Sequence, residues 1–264
     1  MDWMTQRLEN HWLACMAAAG GGGRVTRLPG ALVVVNPNVG GCALNFITLR
    51  STSPDDLGQA LEYGAALLAG EQRPPAVFVS PAAGSVEEIE QQLSRKRWRC
   101  TTRQAVLAMD LPAPDAGTES LHVQTIGPDQ LDSWADTLVQ GYEVSPHAAP
   151  DIRAAWAPLL QAPGEGCWSQ FYLAWLEGSP VGTGLLWSQG EIAGLYCGAV
   201  IPTARRRGIE RATVLRRLAE ASSRGALVAT LQTEAGSPVE HLCVHRLGFR
   251  VAHYRSLWVP ATKL

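Results

Sequence analysis

The residues best placed to do chemistry in this chain lie between a β-branched run and a helical run, at Val200-Ile201-Pro202-Thr203-Ala204-Arg205-Arg206-Arg207-Gly208-Ile209-Glu210-Arg211. A glycine-bearing turn that opens a helix leaves backbone N–H groups without intrahelical partners, and the helix dipole favours an anion beside them. Four arginines within seven positions add long-range attraction and the capacity for bidentate contacts to phosphate oxygens. The chemistry such a turn suits is the capture of a pyrophosphate. A solvated basic turn is the alternative that any isolated run of arginines allows. A second spacing, His241 and His245 four residues apart on a short helix, would bring two imidazoles to one metal. It comes without a third ligand or an HExxH context, so no metal is expected.

The elements that must carry the loop follow from periodicity and punctuation. Ile192–Val200 reads as the strand before it and Gly208–Arg224 as the helix after it. Leu227–Gln232 (strand), Pro238–Arg246 (short helix) and Phe249–Val259 (strand) complete the chain. Upstream, Leu121–Thr125, Phe171–Leu176 and Gly182–Trp187 read as strands, with Glu177-Gly178-Ser179-Pro180 as a turn. Pro128–Gly141 and Ala154–Leu160 read as helices. The first half has a helix over Trp3–Ala19 that stops at glycines, and strands at Leu32–Val35, Asn45–Arg50, Ala76–Val79 and Cys100–Met109. Further helices start at Ser53-Pro54-Asp55-Asp56 and at the capping box Ser85-Val86-Glu87-Glu88. Pro112-Ala113-Pro114-Asp115-Ala116-Gly117 is the clearest linker. Strands alternating with helices on both sides of it define a tandem α/β chain: a first domain over 1–113, a linker over 114–119 and a second domain over 120–264.

Composition excludes other classes. The 264 residues, 46% hydrophobic and 17% charged, can fill a core and are far from a disordered composition. A net charge of −2 supplies no basic field for nucleic acid. No window approaches the roughly 18 apolar residues of a membrane-spanning helix. The N-terminus, interrupted by Asp2, Glu9, Asn10 and His11, lacks the apolar region of a secretory signal. Cys15, Cys42, Cys100, Cys167, Cys197 and Cys243 are scattered without a CxxC pair, as in a reduced, cytoplasmic protein.

With its order of strand, V-x-P-x-x-R-x-x-G loop, amphipathic helix, L-Q-T-E strand and closing R-L-G-F at Arg246–Phe249, the segment Ile192–Phe249 resembles the acyl-CoA-binding core of the GNAT superfamily of N-acetyltransferases. The resemblance implies that Cys197, Gly198, Ala199 and Val200 lie beside the thioester and pantetheine. It sets Arg205, Arg206, Arg207, Gly208, Ile209 and Arg211 around the phosphates, and Glu234 to Pro238, including Ser237, along the far side of the cofactor cleft. The N-terminal stretches PGALVVVNPN, LNFITLR, DDLGQALEYGAALLAG, PPAVFVSPAAGSVEEIEQQL and AVLAMDL resemble the degenerate half that tandem members carry. Without an R-x-x-G-x-G/A loop, that half is not expected to bind CoA. The implied fold is two GNAT-like lobes, each a mixed, mostly antiparallel sheet flanked by helices.

Two departures from the family pattern matter. Glu210 stands where the family has a small residue, adding bulk and like charge beside a diphosphate. Arg207 or Arg211 would have to hold it away. Val244 stands where many members place a tyrosine that protonates the departing thiolate. Tyr196, which strict alternation puts on one face with Gly194, Gly198 and Val200, would substitute, or else is a packed core tyrosine. Glu191 would relay a proton through water, or else is an exposed turn residue. Cys197 alternates to the other face and reads as a small buried hydrophobe. Glu143, Asp151 and Glu165, in the irregular stretch Glu143–Gly166, would hold a cationic amine or remain solvated. Trp134, Trp156, Trp168, Trp175 and Trp187 would wall an acceptor pocket or pack the core. The resemblance thus implies acetyl-CoA or another acyl-CoA as cosubstrate, no metal, and direct acyl transfer to a primary amine of a small molecule, with a strand amide near Ala199 or Val200 as oxyanion donor. Neither nucleic acid nor membrane is an expected partner, and a homodimer stays open. The competing class is a non-catalytic acyl-CoA sensor or binding scaffold.

Overall fold

A computed structural model describes residues 3–41, 43–50, 53–112 and 121–261; Cys42 and the linker expected at 114–119 lie outside them. Two compact units form. One contains Met1–Val106, Thr233–Ser237 and Val251–Leu264, the other Leu107–Gln232 and Pro238–Arg250. The chain passes from one unit to the other inside a strand, and its final strand returns to the first unit.

The first unit opens with α1 (Trp3–Ala18), then β1 (Arg24–Leu28), β2 (Ala31–Val35), β3 (Phe46–Leu49), α2 (Pro54–Gly70), β4 (Val77–Val79), α3 (Val86–Arg95) and β5 (Trp98–Asp110). Ser53 and Ser85 cap α2 and α3 by accepting from the N–H groups of Asp56 and Glu88, as their spacing dictates. The runs of β2 to β4, apolar except for Thr48, are buried at every position and so covered on both faces. Val33, Val35, Ile47, Leu49, Val77 and Val79 pack with Leu57, Leu61 and Leu68 of α2 and Ile89 and Leu93 of α3. The alternate positions face α1, whose Trp12 stacks on Phe46 at 4.7 Å and meets Phe78 edge-on at 4.9 Å. Strand β1 was not expected from the sequence. Four of its five residues are exposed, and an edge strand wetted on both sides has no apolar alternation to read.

The second unit continues with the end of β5, then β6 (His122–Thr125), α4 (Leu131–Gly141), α5 (Ala149–Gln161), β7 (Cys167–Leu176), β8 (Ser179–Gln189), β9 (Ile192–Val200), α6 (Ile209–Ser223), β10 (Val228–Glu234, which leaves this unit after Gln232) and α7 (Pro238–Arg246). Its strand order is β6-β7-β8-β9-β10-β5, with antiparallel pairs from β6 to β9 and a parallel pair between β9 and β10. The last strand, β11 (Arg250–Pro260), runs antiparallel to β4, with Ser256 opposite Val79, and completes the order β1-β2-β3-β4-β11-β5 in the first unit. The expected α/β class, with mixed and mostly antiparallel sheets flanked by helices, is what forms. The stretch Glu143–Gly166 is not irregular, because α5 occupies most of it.

Between α1 and the sheet of the first unit lies a buried charged cluster. Glu9 is 1% exposed. Its Oε1 lies 2.7 Å from His253 Nε2 and 3.7 Å from an Arg255 nitrogen. Arg255 also donates to Gln104 Oε1 at 2.8 Å and stacks 3.6 Å above the Trp12 ring. Burial pushes the Glu9 carboxyl up, but Arg255, His253 and Arg50 together hold it below the usual carboxylate range. It is therefore ionised, and His253 donates to it. Glu9→Gln removes the carboxylate from among these cations and should cost about 3 kcal/mol at neutral pH in urea unfolding. A carboxyl held low in the fold contributes stability above its unfolded value near 4.5 and loses that contribution as pH falls below it. The gap between wild type and variant therefore narrows in acid; an unchanged gap would contradict the assignment.

Candidate functional site

Strand β9 is regular only for its first half. It pairs with β8 from Ile192↔Gln189 to Tyr196↔Leu185, and again at Ala199↔Thr183 and Val200↔Gly182. Between these positions Cys197 and Gly198 together oppose Gly184, which is a β-bulge. Cys197 takes the left-handed φ of 50°, and Thr183 Oγ1 donates to its carbonyl at 2.8 Å. On the other side, the parallel ladder with β10 runs from Ile192↔Val228 to Leu195↔Leu231 and goes no further among the described residues. The edge of Tyr196–Val200 that faces away from β8 is thus outside any ladder with β10.

The extra residue reverses the alternation beyond it, which corrects the faces read from the sequence. Tyr196 and Ala199 lie opposite Leu185 and Thr183 and share one face, the face on which α4 closes. A Cβ on Gly141, at the end of α4, would stand 2.7 Å from the Ala199 Cβ. Gly198 lies on the other face with Gly184, under α6. Gly194 does share the Tyr196 face: a Cβ there would fall 2.6 Å from the Tyr196 hydroxyl, so the phenol lies over that glycine.

After Val200 a single turn over Pro202–Ala204 leads to Gly208, whose φ of 80° only glycine adopts freely. No side chain caps α6, so the first N–H groups of this 15-residue helix keep their capacity to bind an anion. A Cβ at Gly208 would meet only Leu121 Cδ1, at 3.6 Å. Ile209 is buried and anchors the start of the helix with Ala204, Val181 and Ala174. Arg206 and Arg207 are exposed, and Arg207 approaches Glu177 at 3.4 Å, a surface pair of little energetic weight. Arg205, expected at the phosphates, is instead engaged by protein oxygens. It donates to Val200 O at 3.2 Å and Gly141 O at 2.9 Å, and pairs with Glu143 at 2.7 Å. It ties the loop to the end of α4.

Glu210 turns inward. Its Oε1 lies 3.2 Å from the point a Gly198 Cβ would occupy, and an Arg217 nitrogen lies 3.3 Å from the same point. Arg217 is 2% exposed and donates to Tyr196 O at 3.1 Å, Leu185 O at 3.5 Å and Thr213 O at 3.1 Å. Burial pushes the Glu210 carboxyl up, and Arg217 offsets part of that rise. Burial lowers Arg217, against the pull of Glu210. Arg217, rather than Arg207 or Arg211, is thus the guanidinium beside Glu210. The sequence carried a signal that was missed: Glu210, Thr213 and Arg217 follow the three-and-four spacing of one helix face, and Thr213 is buried.

The structure gathers Cys197, Gly198, Ala199, Val200, Arg205, Arg206, Arg207, Gly208, Ile209 and Arg211 at one end of β9. Glu191 is at the other end, exposed, its carbonyl accepting from the N–H groups of Leu227 and Val228. Eight residues at about 3.3 Å each put it roughly 26 Å from Ala199, so a proton relay from Glu191 has no path through one water. Burial raises the Cys197 thiol, the opposite of what a nucleophile needs. Glu234 and Ser237 fall in the Thr233–Ser237 stretch of the first unit, where Ser237 N–H donates to Glu234 O at 3.1 Å. Trp134 and Trp187 are core residues whose indole N–H groups donate to Gly184 O and Pro163 O. Asp151 and Glu165 are exposed. The rings of His241 and His245 lie 4.4 Å apart, and no group of three metal-binding side chains gathers among the described residues.

No protein-family model and no curated protein matches the chain. Solved structures do. A GCN5-related N-acetyltransferase from Kribbella flavida has a TM-score of 0.76 at 14% identity, over 100% of this chain and 98% of that one. One from Sphaerobacter thermophilus reaches 0.64 at 18% identity, over 89% and 83%. A tandem GNAT protein from the clavulanic acid biosynthesis pathway reaches 0.56 at 13% identity, over 100% and 97%. The chain therefore has the fold of the GNAT acetyltransferases, as its motifs led one to expect.

The Glu210–Arg217 pair yields a test by double-mutant cycle. Arg217→Met alone strands a buried carboxyl and leaves the Tyr196 and Leu185 carbonyls without their donor, at a cost of about 3–5 kcal/mol. Adding Glu210→Gln should recover a large part of that loss in urea unfolding. Additive losses would mean the two side chains do not interact.

Proposed function

We propose that the chain transfers an acetyl or short acyl group from acyl-CoA to a primary amine of a small molecule. The observation that carries this reading is the end of the β9–β10 ladder at Leu195–Leu231, next to the uncapped start of α6. A thioester needs an amide donor on an open strand edge, and a diphosphate needs free N–H groups; the two lie at the same end of β9. Arg206, Arg207, Gly208 and Ile209, with Arg211, would hold the diphosphate, and Cys197 to Val200 the pantetheine arm. The inward turn of Glu210 supports this assignment, since a carboxylate aimed at the loop amides would compete with phosphate.

In the reaction the amine attacks the thioester carbonyl and a β9 amide near Ala199 or Val200 receives the developing oxyanion. The carbon–sulfur bond then breaks, the thiolate takes a proton, and the amine loses one to solvent. Tyr196, on the Ala199 face, is the proposed donor to the thiolate in place of the tyrosine that Val244 replaces. Positioning and oxyanion stabilisation supply most of the rate, so the chemistry does not hang on that one proton. In the first unit Ser53 and Ser85 cap the starts of α2 and α3, and that unit is read as the degenerate member of a tandem pair. The free thiols Cys15, Cys100, Cys167, Cys197 and Cys243 fit a cytoplasmic setting. No described helix is long and apolar enough to cross a membrane. Val244 is the one feature that still favours a second reading, an acyl-CoA sensor.

Calorimetric titration with acetyl-CoA, followed by thiol release over a panel of amines, tests both readings. Gly208→Glu adds a Cβ at positive φ and a negative charge, and should raise Kd by about tenfold or more. Tyr196→Phe should lower thiol release while leaving Kd in place. Binding without release on any amine supports the sensor, and no binding removes both readings.

A further inference from the structure

Glu210 is the acidic residue in the first turn of α6, and the acyl-transfer reading gives it no role in binding. It directly follows Ile209, the first residue of the helix, and so sits among the N–H groups proposed to take the diphosphate. Its carboxyl turns under β9, with Oε1 3.2 Å from the point a Gly198 Cβ would occupy. An Arg217 nitrogen stands 3.3 Å from that same point. This guanidinium already donates to three carbonyl oxygens, those of Tyr196, Leu185 and Thr213. It is therefore not given over to Glu210 alone.

The groups gathered around Glu210 come from four elements. On α6, burial pushes the Glu210 carboxyl up from 4.5 and Arg217 offsets part of that rise. Burial lowers Arg217 in turn, against the pull of Glu210. On α4, burial, then Cys197 and Glu210, push the Tyr142 phenol up. On α7, burial and Glu210 push the Cys243 thiol up to about 12. On β9, burial raises the Cys197 thiol. The phenol and both thiols thus stay neutral between about pH 5 and 9, and the carboxyl is the group of this cluster that changes charge.

We infer that acyl-CoA binding is proton-linked, Glu210 gaining a proton as the diphosphate docks on the first turn of α6. The inference rests on the acyl-transfer reading, which puts the diphosphate there. In the free protein the helix start and Arg217 both favour the carboxylate. A diphosphate brings negative charge to the same N–H groups and repels that carboxylate across a poorly screened interior. Glu210 then holds more proton in the complex than in the free protein. Affinity is highest at low pH and falls as pH rises through the titration of the carboxyl. A small residue at this position would carry no such dependence.

Calorimetric titration of the full chain with acetyl-CoA, at about pH 6 and about pH 8 in two buffers of different ionisation enthalpy, tests the linkage. For wild type the enthalpy should shift with the buffer in the sense of proton uptake. The ratio of its Kd to that of Glu210→Gln should rise by about tenfold over this range. Taking the ratio cancels the titration of the ligand's own phosphate monoester, which both proteins meet. Glu210→Ala should behave like Glu210→Gln, and both should bind more tightly than wild type at the higher pH, their thermal midpoints showing that they fold. Acetyl-dephospho-CoA, whose diphosphate keeps its charge throughout, gives the proton count on wild type alone. No uptake by wild type with that ligand at either pH, uptake that survives in both variants, or a Kd ratio that does not change with pH would each overturn the inference and leave the acyl-CoA reading standing. No binding by any of the three proteins would overturn that reading, and the inference with it.

Discussion

Arg217 lies beneath the bulge of β9, donating to the carbonyl oxygens of Tyr196 and Leu185 while Glu210 approaches it from the first turn of the same helix. Those carbonyls belong to the last pair before the point where β9 gains a residue over β8. A bulge leaves ladder groups unpaired, and a buried guanidinium with a fixed fork of donors can serve two of them at once. The same contact binds α6 to the strand, and so sets where the start of the helix sits relative to the end of β9. Gly184 and Gly198 make room for it, since a Cβ on either would lie 3.0–3.3 Å from Arg217. The open strand edge, the glycine turn and the uncapped helix all inherit their placement from this one buried side chain.

Both units are built over a buried arginine and carboxylate, Arg255 with Glu9 in one and Arg217 with Glu210 in the other. Replacing such pairs with well-packed apolar residues is often neutral or stabilising, so stability alone does not account for them. Each one instead holds backbone or neighbouring side chains in a particular arrangement. Arg217 fixes two carbonyls, and Arg255 fixes Gln104 and stacks on Trp12. The first unit differs in adding a second guanidinium, that of Arg50, to the charges acting on its carboxylate.

Much of this was legible in the sequence. Ile192–Val200 and Pro238–Arg246 form over the residues that their periodicity indicated, and Ser53 and Ser85 cap the helices they announce. Local punctuation is written in residue types, so it can be read locally. The bulge could not be read that way. Cys197 adopts a positive φ that nothing in a cysteine signals, and the slip depends on how two strands align rather than on either alone. For the same reason strict alternation misplaced Gly198 and Val200 relative to Tyr196. The engagement of Arg205 by Gly141 and Glu143 was hidden because its partners are about sixty residues away in sequence. The return of β11 to the first unit is another non-local pairing. Glu210 was the most readable of the missed features, since its spacing to Arg217 lies within one helix.

The most direct measurement is a crystal structure of the full chain with acetyl-CoA. The account predicts the diphosphate against the backbone N–H groups of Arg207 to Glu210, the thioester carbonyl within hydrogen-bond distance of a β9 amide near Ala199 or Val200, and Glu210 still turned toward Arg217. A diphosphate bound elsewhere, or a Glu210 carboxylate swung onto the loop amides with no nucleotide beside them, would contradict it.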